Sequence, residues 1–221
     1  MPFTPRFIDG SESEFTLGKI VCVGRNYADH AKELNNAVPD SPVVFIKPST
    51  AAVELEEPIA AQFDHGEVHF ETELALLIGK RMSNVTAEEA TQGIVGAGLA
   101  LDLTLRDVQS DLKKQGYPWE RAKGFDGACP ISRFVHVEGE DVDWQSINFH
   151  LDIDGKRQQT GDTSDMLFSV AAMIEDVSKT FTLEPGDILL TGTPAGVGAL
   201  PRNAVLGMSL SLGLDVGTRT R

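Results

Sequence analysis

Val68-His69-Phe70-Glu71-Thr72-Glu73-Leu74-Ala75-Leu76-Leu77-Ile78 reads as one β-strand that carries two carboxylates two residues apart. Along a strand, side chains at i and i+2 point to the same face, so Glu71 and Glu73 stand side by side. Leu74, Leu76 and Ile78 follow with no hydrophilic partners, so the strand is buried beyond the carboxylates. Adjacent anions repel, and a buried pair needs a cation. A third carboxylate, Asp102, lies in Gly98-Leu99-Ala100-Leu101-Asp102-Leu103, an apolar run where an unpaired charge is costly. These three side chains offer hard oxygen donors, and no Cys or His spacing of zinc type accompanies them. The donor set suits Mg²⁺ or Mn²⁺.

The rest of the chain is mostly β. Residues 19–24 and 42–47 read as apolar strands, and 27–35 as a short helix. Thr86 is an N-cap, with Glu89 three residues on, for a helix to about residue 92. An apolar, Gly-punctuated segment over 95–105 precedes a polar helix over 106–115. Residues 147–160 read as a hairpin about Asp154-Gly155. The best amphipathic helix spans 168–181, with Val170, Met173, Ile174 and Val177 on one side. Pro185-Gly186-Asp187 turns into a strand over 188–191, which opens a Gly-rich loop to Gly198. No linker, repeat or low-complexity segment divides the chain.

The 221 residues suit one large domain with its own core. A formal net charge of −14 argues against a nucleic-acid partner, because phosphate binding needs a basic face. For the same reason, a site for an anionic substrate must carry its own local positive charge. Cys22 and Cys129 lie in apolar contexts and are expected as reduced core thiols. Without a signal-peptide pattern or a membrane-length apolar stretch, the expectation is a cytoplasmic protein with no membrane partner.

His30 and Glu33 lie three apart on the expected helix, close enough to meet on one face. They are either a solvated pair or a dyad in which the carboxylate orients the imidazole to take a proton from water. Lys47, before Pro48, and Lys123, in Arg121-Ala122-Lys123-Gly124, would ordinarily be surface lysines. Beside a metal they become cations for a substrate carboxylate or a developing enolate. The loop Thr191-Gly192-Thr193-Pro194-Ala195-Gly196-Val197-Gly198 lacks the Gly-Lys-Ser/Thr ending of a nucleotide-binding loop. Its amides and hydroxyls suit a carboxylate better.

Five motifs occur here in the order found in the fumarylacetoacetate hydrolase family. They are Gly24-Arg25-Asn26-Tyr27-Ala28-Asp29-His30, Phe45-Ile46-Lys47-Pro48-Ser49, His69-Phe70-Glu71-Thr72-Glu73-Leu74, the run from Leu101-Asp102 to Val108-Gln109, and Leu190-Thr191-Gly192-Thr193-Pro194. The chain resembles that family over residues 19 to 201, and within it the small single-domain branch of acylpyruvases and oxaloacetate decarboxylases or tautomerases.

The resemblance implies an α+β fold, a mixed, predominantly β roll or sandwich with a few flanking helices. It places one catalytic domain over 19–221 behind an N-terminal extension of 1–18, and implies a homodimer. It puts Glu71, Glu73 and Asp102 on Mg²⁺ or Mn²⁺ ligand positions, and His30 and Glu33 on a catalytic dyad in a lid segment. Lys123, Gln109 and Thr193 fall on substrate-contacting positions, Lys123 with a catalytic role. Arg25 and Arg106 lie nearby, and Lys47 is a further cation for the substrate. The implied reaction cleaves C3–C4 of an acylpyruvate to pyruvate and a carboxylic acid, with oxaloacetate decarboxylation through the same metal-stabilised enolate. Oxaloacetate tautomerisation is the alternative, or isomerisation or decarboxylation of unsaturated 2-oxo dioates. Each of these substrates is a small 2-oxo acid. One departure is Arg202-Asn203-Ala204-Val205-Leu206, apolar where relatives turn into a polar strand.

Overall fold

The computed structural model, described for residues 2–33, 37–61 and 63–221, is built on three sheets. In chain order the elements are β1 (Lys19–Gly24), α1 (Ala28–Glu33), β2 (Val43–Pro48), β3 (Ala52–Glu54), β4 (Val68–Phe70), β5 (Thr72–Ile78), α2 (Ala87–Ala90) and β6 (Ile94–Leu101). Next come β7 (Thr104–Leu105), α3 (Arg106–Gln115), α4 (Glu120–Lys123), β8 (Cys129–Ile131), β9 (Val135–His136), β10 (Asn148–Ile153) and β11 (Lys156–Asp162). The last are α5 (Val170–Thr180), β12 (Ile188–Leu190), β13 (Gly198–Ala199), β14 (Val205–Leu210) and β15 (Leu214–Arg219). The largest sheet runs β2-β1-β12-β5-β6-β8-β3, with β9 also on β6; β11-β10-β14-β15 and β13-β4-β7 are the others. The architecture is mixed α+β, predominantly β.

The single strand expected over 68–78 is two strands in two sheets. β4 pairs with β7 and β13, whereas β5 pairs with β6 and β12, and Glu71 is the residue between them. The paired stretch of the same chain breaks at the same level: β6 ends at Leu101, β7 begins at Thr104, and Asp102 N–H donates to the Glu71 carbonyl at 2.8 Å. Two carboxylate-bearing kinks therefore face each other across one ladder. That pairing, and not a uniform pleat, brings the acids together.

β5 is buried on both faces. Leu74, Leu76 and Ile78 have the opposite parity to Glu73 and enter one core with Met173, Ile174 and Val177 of α5. Ala75 and Leu77, on the Glu73 side, enter a second core with Ile20, Cys22, Ile188 and Phe134. At roughly 1.5–3 kcal/mol for each buried leucine, this strand anchors the site from both sides.

Helices α3 and α5 lie where the pattern predicts them. Ser169 Oγ accepts the N–H of Ala172 at 3.3 Å to start α5, and Gly116, at φ 69°, ends α3. Asp154 and Gly155, at φ 50° and 74°, make the expected hairpin turn. The helix expected over 27–35 is α1, and its last expected turn lies outside the described residues. Residues 2–18 pack on the large sheet: Phe7 is buried and stacks on His136, and Ile8 N–H donates to Phe134 at 3.0 Å. The apolar stretch after Arg202 opens β14, which with β15 completes the second sheet. Cys22 and Cys129 are buried and free; burial pushes the Cys129 thiol up to about 12. Among the described residues no helix is long and apolar enough to cross a membrane.

Candidate metal and active site

Glu71, Glu73 and Asp102 each offer a carboxylate oxygen, and these lie within 4.8 Å of one another. All three residues are buried, Asp102 at 1 % exposure. The three are not equivalent. Burial, then the Asp102 and Glu71 anions, push the Glu73 carboxyl well up, against Lys123 and the Gly192 N–H. Burial also acts on Glu71, but Lys123, Arg106 and His30 outweigh it and hold that carboxyl well below the usual carboxylate range.

The cations come from three elements. Lys123, at the end of α4, reaches Glu71 Oε2 at 2.9 Å and Asp102 Oδ2 at 2.5 Å. Its own pKa is raised: burial opposes the charge, but Asp102 and Glu71 more than compensate. Arg106, opening α3, donates through Nη2 to Glu71 Oε1 and through Nη1 to Gln109 Oε1 at 2.7 Å. Lys47, on β2, is fully buried, with Nζ 2.7 Å from Asp102 Oδ1. Its three N–H groups go instead to the carbonyls of Leu103 at 3.3 Å, Ala128 at 3.0 Å and Lys123. The expected substrate contact of Lys47 is therefore not what the structure places there. Lys47 does not line the cavity, and it holds Asp102 in position.

Asp102 Oδ1 is left buried without a hydrogen bond. With the Lys47 ammonium as its charge partner but no hydrogen bond accepted, this oxygen lies beside two other carboxylates with capacity left for a hard divalent cation, and the all-oxygen donor set fits Mg²⁺ or Mn²⁺. The residues present fit such an ion.

His30, 5 % exposed on α1, lines the same cavity, with Nδ1 3.4 Å from Glu33 Oε2. Burial lowers its pKa, despite Glu71 and Glu33, so the imidazole is neutral near pH 7 and able to accept a proton. The Gly-rich loop does grip carboxylates, but they are the protein's own. Gly192 N–H donates to Glu73 Oε2 at 2.7 Å, and Gly196 N–H to Glu33 Oε1 at 3.2 Å. Gly192 sits at φ 97°, where a Cβ would lie 2.8 Å from Asn26 Cβ, so only glycine fits. Thr193 lines the cavity, and its hydroxyl accepts from Gln159 Nε2 at 2.8 Å.

The cavity gathers His30, Lys123, Arg25, Arg106, Gln109 and Thr193 around the triad, while Glu33 stands behind His30. Sequence reasoning missed Phe45, Lys113 and Trp119 on its wall. It also missed Asn26, whose side chain donates to the Thr191 and Phe168 carbonyls and ties the start of α1 to the loop. Lys113 is legible in hindsight, one turn beyond Gln109 on the same helix face.

Residues 19–213 match the fumarylacetoacetate (FAA) hydrolase C-terminal family, and the chain belongs to it. It is 48% identical over 191 residues to the oxaloacetate tautomerase YcgM of Escherichia coli K12, covering 86% of this chain and 87% of that protein. Identity to the human mitochondrial oxaloacetate tautomerase FAHD1 is 46% over 184 residues, 83% of each chain. The structure of fumarylpyruvate hydrolase from Pseudomonas aeruginosa, in complex with Mn²⁺ and pyruvate, superposes with a TM-score of 0.91 at 30% identity, covering 99% of this chain and 95% of that one. The proteins it resembles include oxaloacetate tautomerases and a fumarylpyruvate hydrolase, and the chain is an enzyme of this group.

Proposed function

We propose that this enzyme is a divalent-metal-dependent oxaloacetate tautomerase. The observation that carries the proposal is the meeting of three buried carboxylates with one neutral, buried imidazole in a single cavity. The identity to two oxaloacetate tautomerases supports tautomerisation ahead of the acylpyruvate hydrolysis expected from the motifs.

A Mg²⁺ or Mn²⁺ ion, when bound, would supply positive charge toward the oxygens of a 2-oxo acid. Glu71, Glu73 and Asp102 would hold the ion, while Lys47 and Gly192 hold Asp102 and Glu73 in place. His30, neutral at the start, takes the proton from the 2-hydroxyl of the enol and delivers it to C3, using Nε2, the ring nitrogen that Glu33 leaves free. Lys123 and Arg106 add fixed charge beside the developing oxyanion, and Gln109 and Thr193 orient the substrate. Tautomerisation needs this proton transfer and no attacking water.

A second reading, hydrolysis of an acylpyruvate, has its own support in the His30–Glu33 pair. An imidazole oriented by a carboxylate is what activation of water requires, and a fumarylpyruvate hydrolase shares the fold. Parallel assays separate the two. The proposal expects metal-dependent enol–keto conversion of oxaloacetate to outrun pyruvate release from acetylpyruvate; faster acetylpyruvate cleavage would make the enzyme a hydrolase. In that case His30→Ala should abolish cleavage while largely sparing oxaloacetate decarboxylation, which needs no water.

A further inference from the structure

One wall of the cavity carries more positive charge than the acids consume. Arg106 is engaged by Glu71 and Gln109, but Arg25 and Lys113 make no side-chain hydrogen bond or ion pair among the described residues. This occurs in a chain of formal net charge −14, where a carboxylate partner is easily supplied. Lys113 Nζ lies instead 5.0 Å from the centre of the Trp119 ring, which packs on Phe45 with ring centres 5.9 Å apart. Partial burial, then Arg106 and Arg25 nearby, lower the Lys113 pKa to about 8. Arg25 takes φ 58°, a backbone conformation that non-glycine residues disfavour, to face the same space. Two cations held together without a counter-ion are costly in the free protein, and an anion brought by the ligand relieves that cost.

Helix α3 sets the spacing. Arg106, Gln109 and Lys113 stand at i, i+3 and i+7 on one face. At about 1.5 Å per residue, Lys113 starts about 6 Å beyond Gln109 along the axis. Long helical side chains lean back toward the N-terminus, so its ammonium returns toward the acid triad. That reach suits the far end of a short ligand whose near end lies at Glu71, Glu73 and Asp102.

We infer that Lys113, with Arg25, forms a second anion subsite that takes the remote carboxylate of a short 2-oxo diacid. The inference rests on the oxaloacetate reading above, whose substrate is a diacid, and adds the residue that holds the second carboxylate: Lys113 sets the preference for diacids over monoacids. Trp119 is a positioning residue that fixes the ammonium.

Calorimetric titration of the Mg²⁺-loaded chain with oxalate, lactate and malate tests this without turnover. Malate repeats the 2-hydroxy acid of lactate and adds one remote carboxylate. Malate should bind at least about tenfold more tightly than lactate. Lys113→Met should remove most of that margin while leaving oxalate within about twofold, and Lys113→Arg should restore it. If oxalate binds but malate is no tighter than lactate, or if Lys113→Met weakens all three ligands alike, the subsite is overturned alone. Failure of oxalate to bind the wild type overturns the 2-oxo acid reading and the subsite with it.

Discussion

Asp102 is gripped from two sides by lysines, yet one of its buried oxygens accepts no hydrogen bond. Replacing it by Asn removes a charged ligand and should weaken Mn²⁺ binding on the order of 100-fold or more in calorimetry. An unchanged titration would remove Asp102 from the ligand set. Lys47 presents the converse case, a cation wholly inside the protein whose loss leaves Asp102 Oδ1 without its charge partner and three buried carbonyls without their donor. Lys47→Met should cost about 3–5 kcal/mol in urea unfolding without metal, and part of that loss should return when Mg²⁺ is added. His30 brings a pH dependence. Burial holds its folded pKa below the ordinary 6.5, so the unfolded chain takes up the proton first as pH falls. Its contribution to stability is complete above 6.5 and is lost on acidification from 6.5 down through the folded value. Melting curves of His30→Gln should therefore fall less steeply with acid than those of the wild type.

Among the elements, the Gly-rich loop does more structural work than its sequence suggests. It fixes Glu73 through Gly192 and Glu33 through Gly196, so one loop holds both an acid of the triad and the carboxylate behind His30. Gly192→Ala combines a strained φ with a close approach to Asn26, and should cost about 1–3 kcal/mol and weaken metal binding through Glu73. Retention of wild-type Mn²⁺ affinity in that variant would uncouple the loop from the site. The α3 and α5 helices were legible because their periodicity and caps are local properties of the chain. The division of 68–78 into β4 and β5 was not, because Glu71 lies in a run that reads as continuous strand. Only the matching break at Asp102, 31 residues away in sequence, shows where the sheets part. The acids were legible by chemistry, since buried carboxylates demand a cation. Lys47 misled for the same reason: its charge was visible, but the three carbonyls that occupy it were not. Lys113 and Trp119 drew no notice because a lysine on a polar helix and an aromatic after a Pro look ordinary until tertiary packing turns them to one cavity.

At the scale of the molecule, the site lies where the sheets meet. β5 and β6 belong to the large sheet, β4 and β7 to the small one, and the acids occupy the junction. A cation bound there ties the two sheets together, so metal should raise the melting temperature of the whole fold, and EDTA should reverse it. The most direct test of the functional account is the conversion of enol-oxaloacetate to the keto form, followed by loss of enol absorbance. The reaction would be run with the full chain and Mg²⁺ or Mn²⁺, then after EDTA, with the metal-only rate subtracted. The account predicts saturable conversion that needs both protein and metal, and that falls on the order of 100-fold in His30→Gln. Conversion no faster than with the metal ion alone would contradict it.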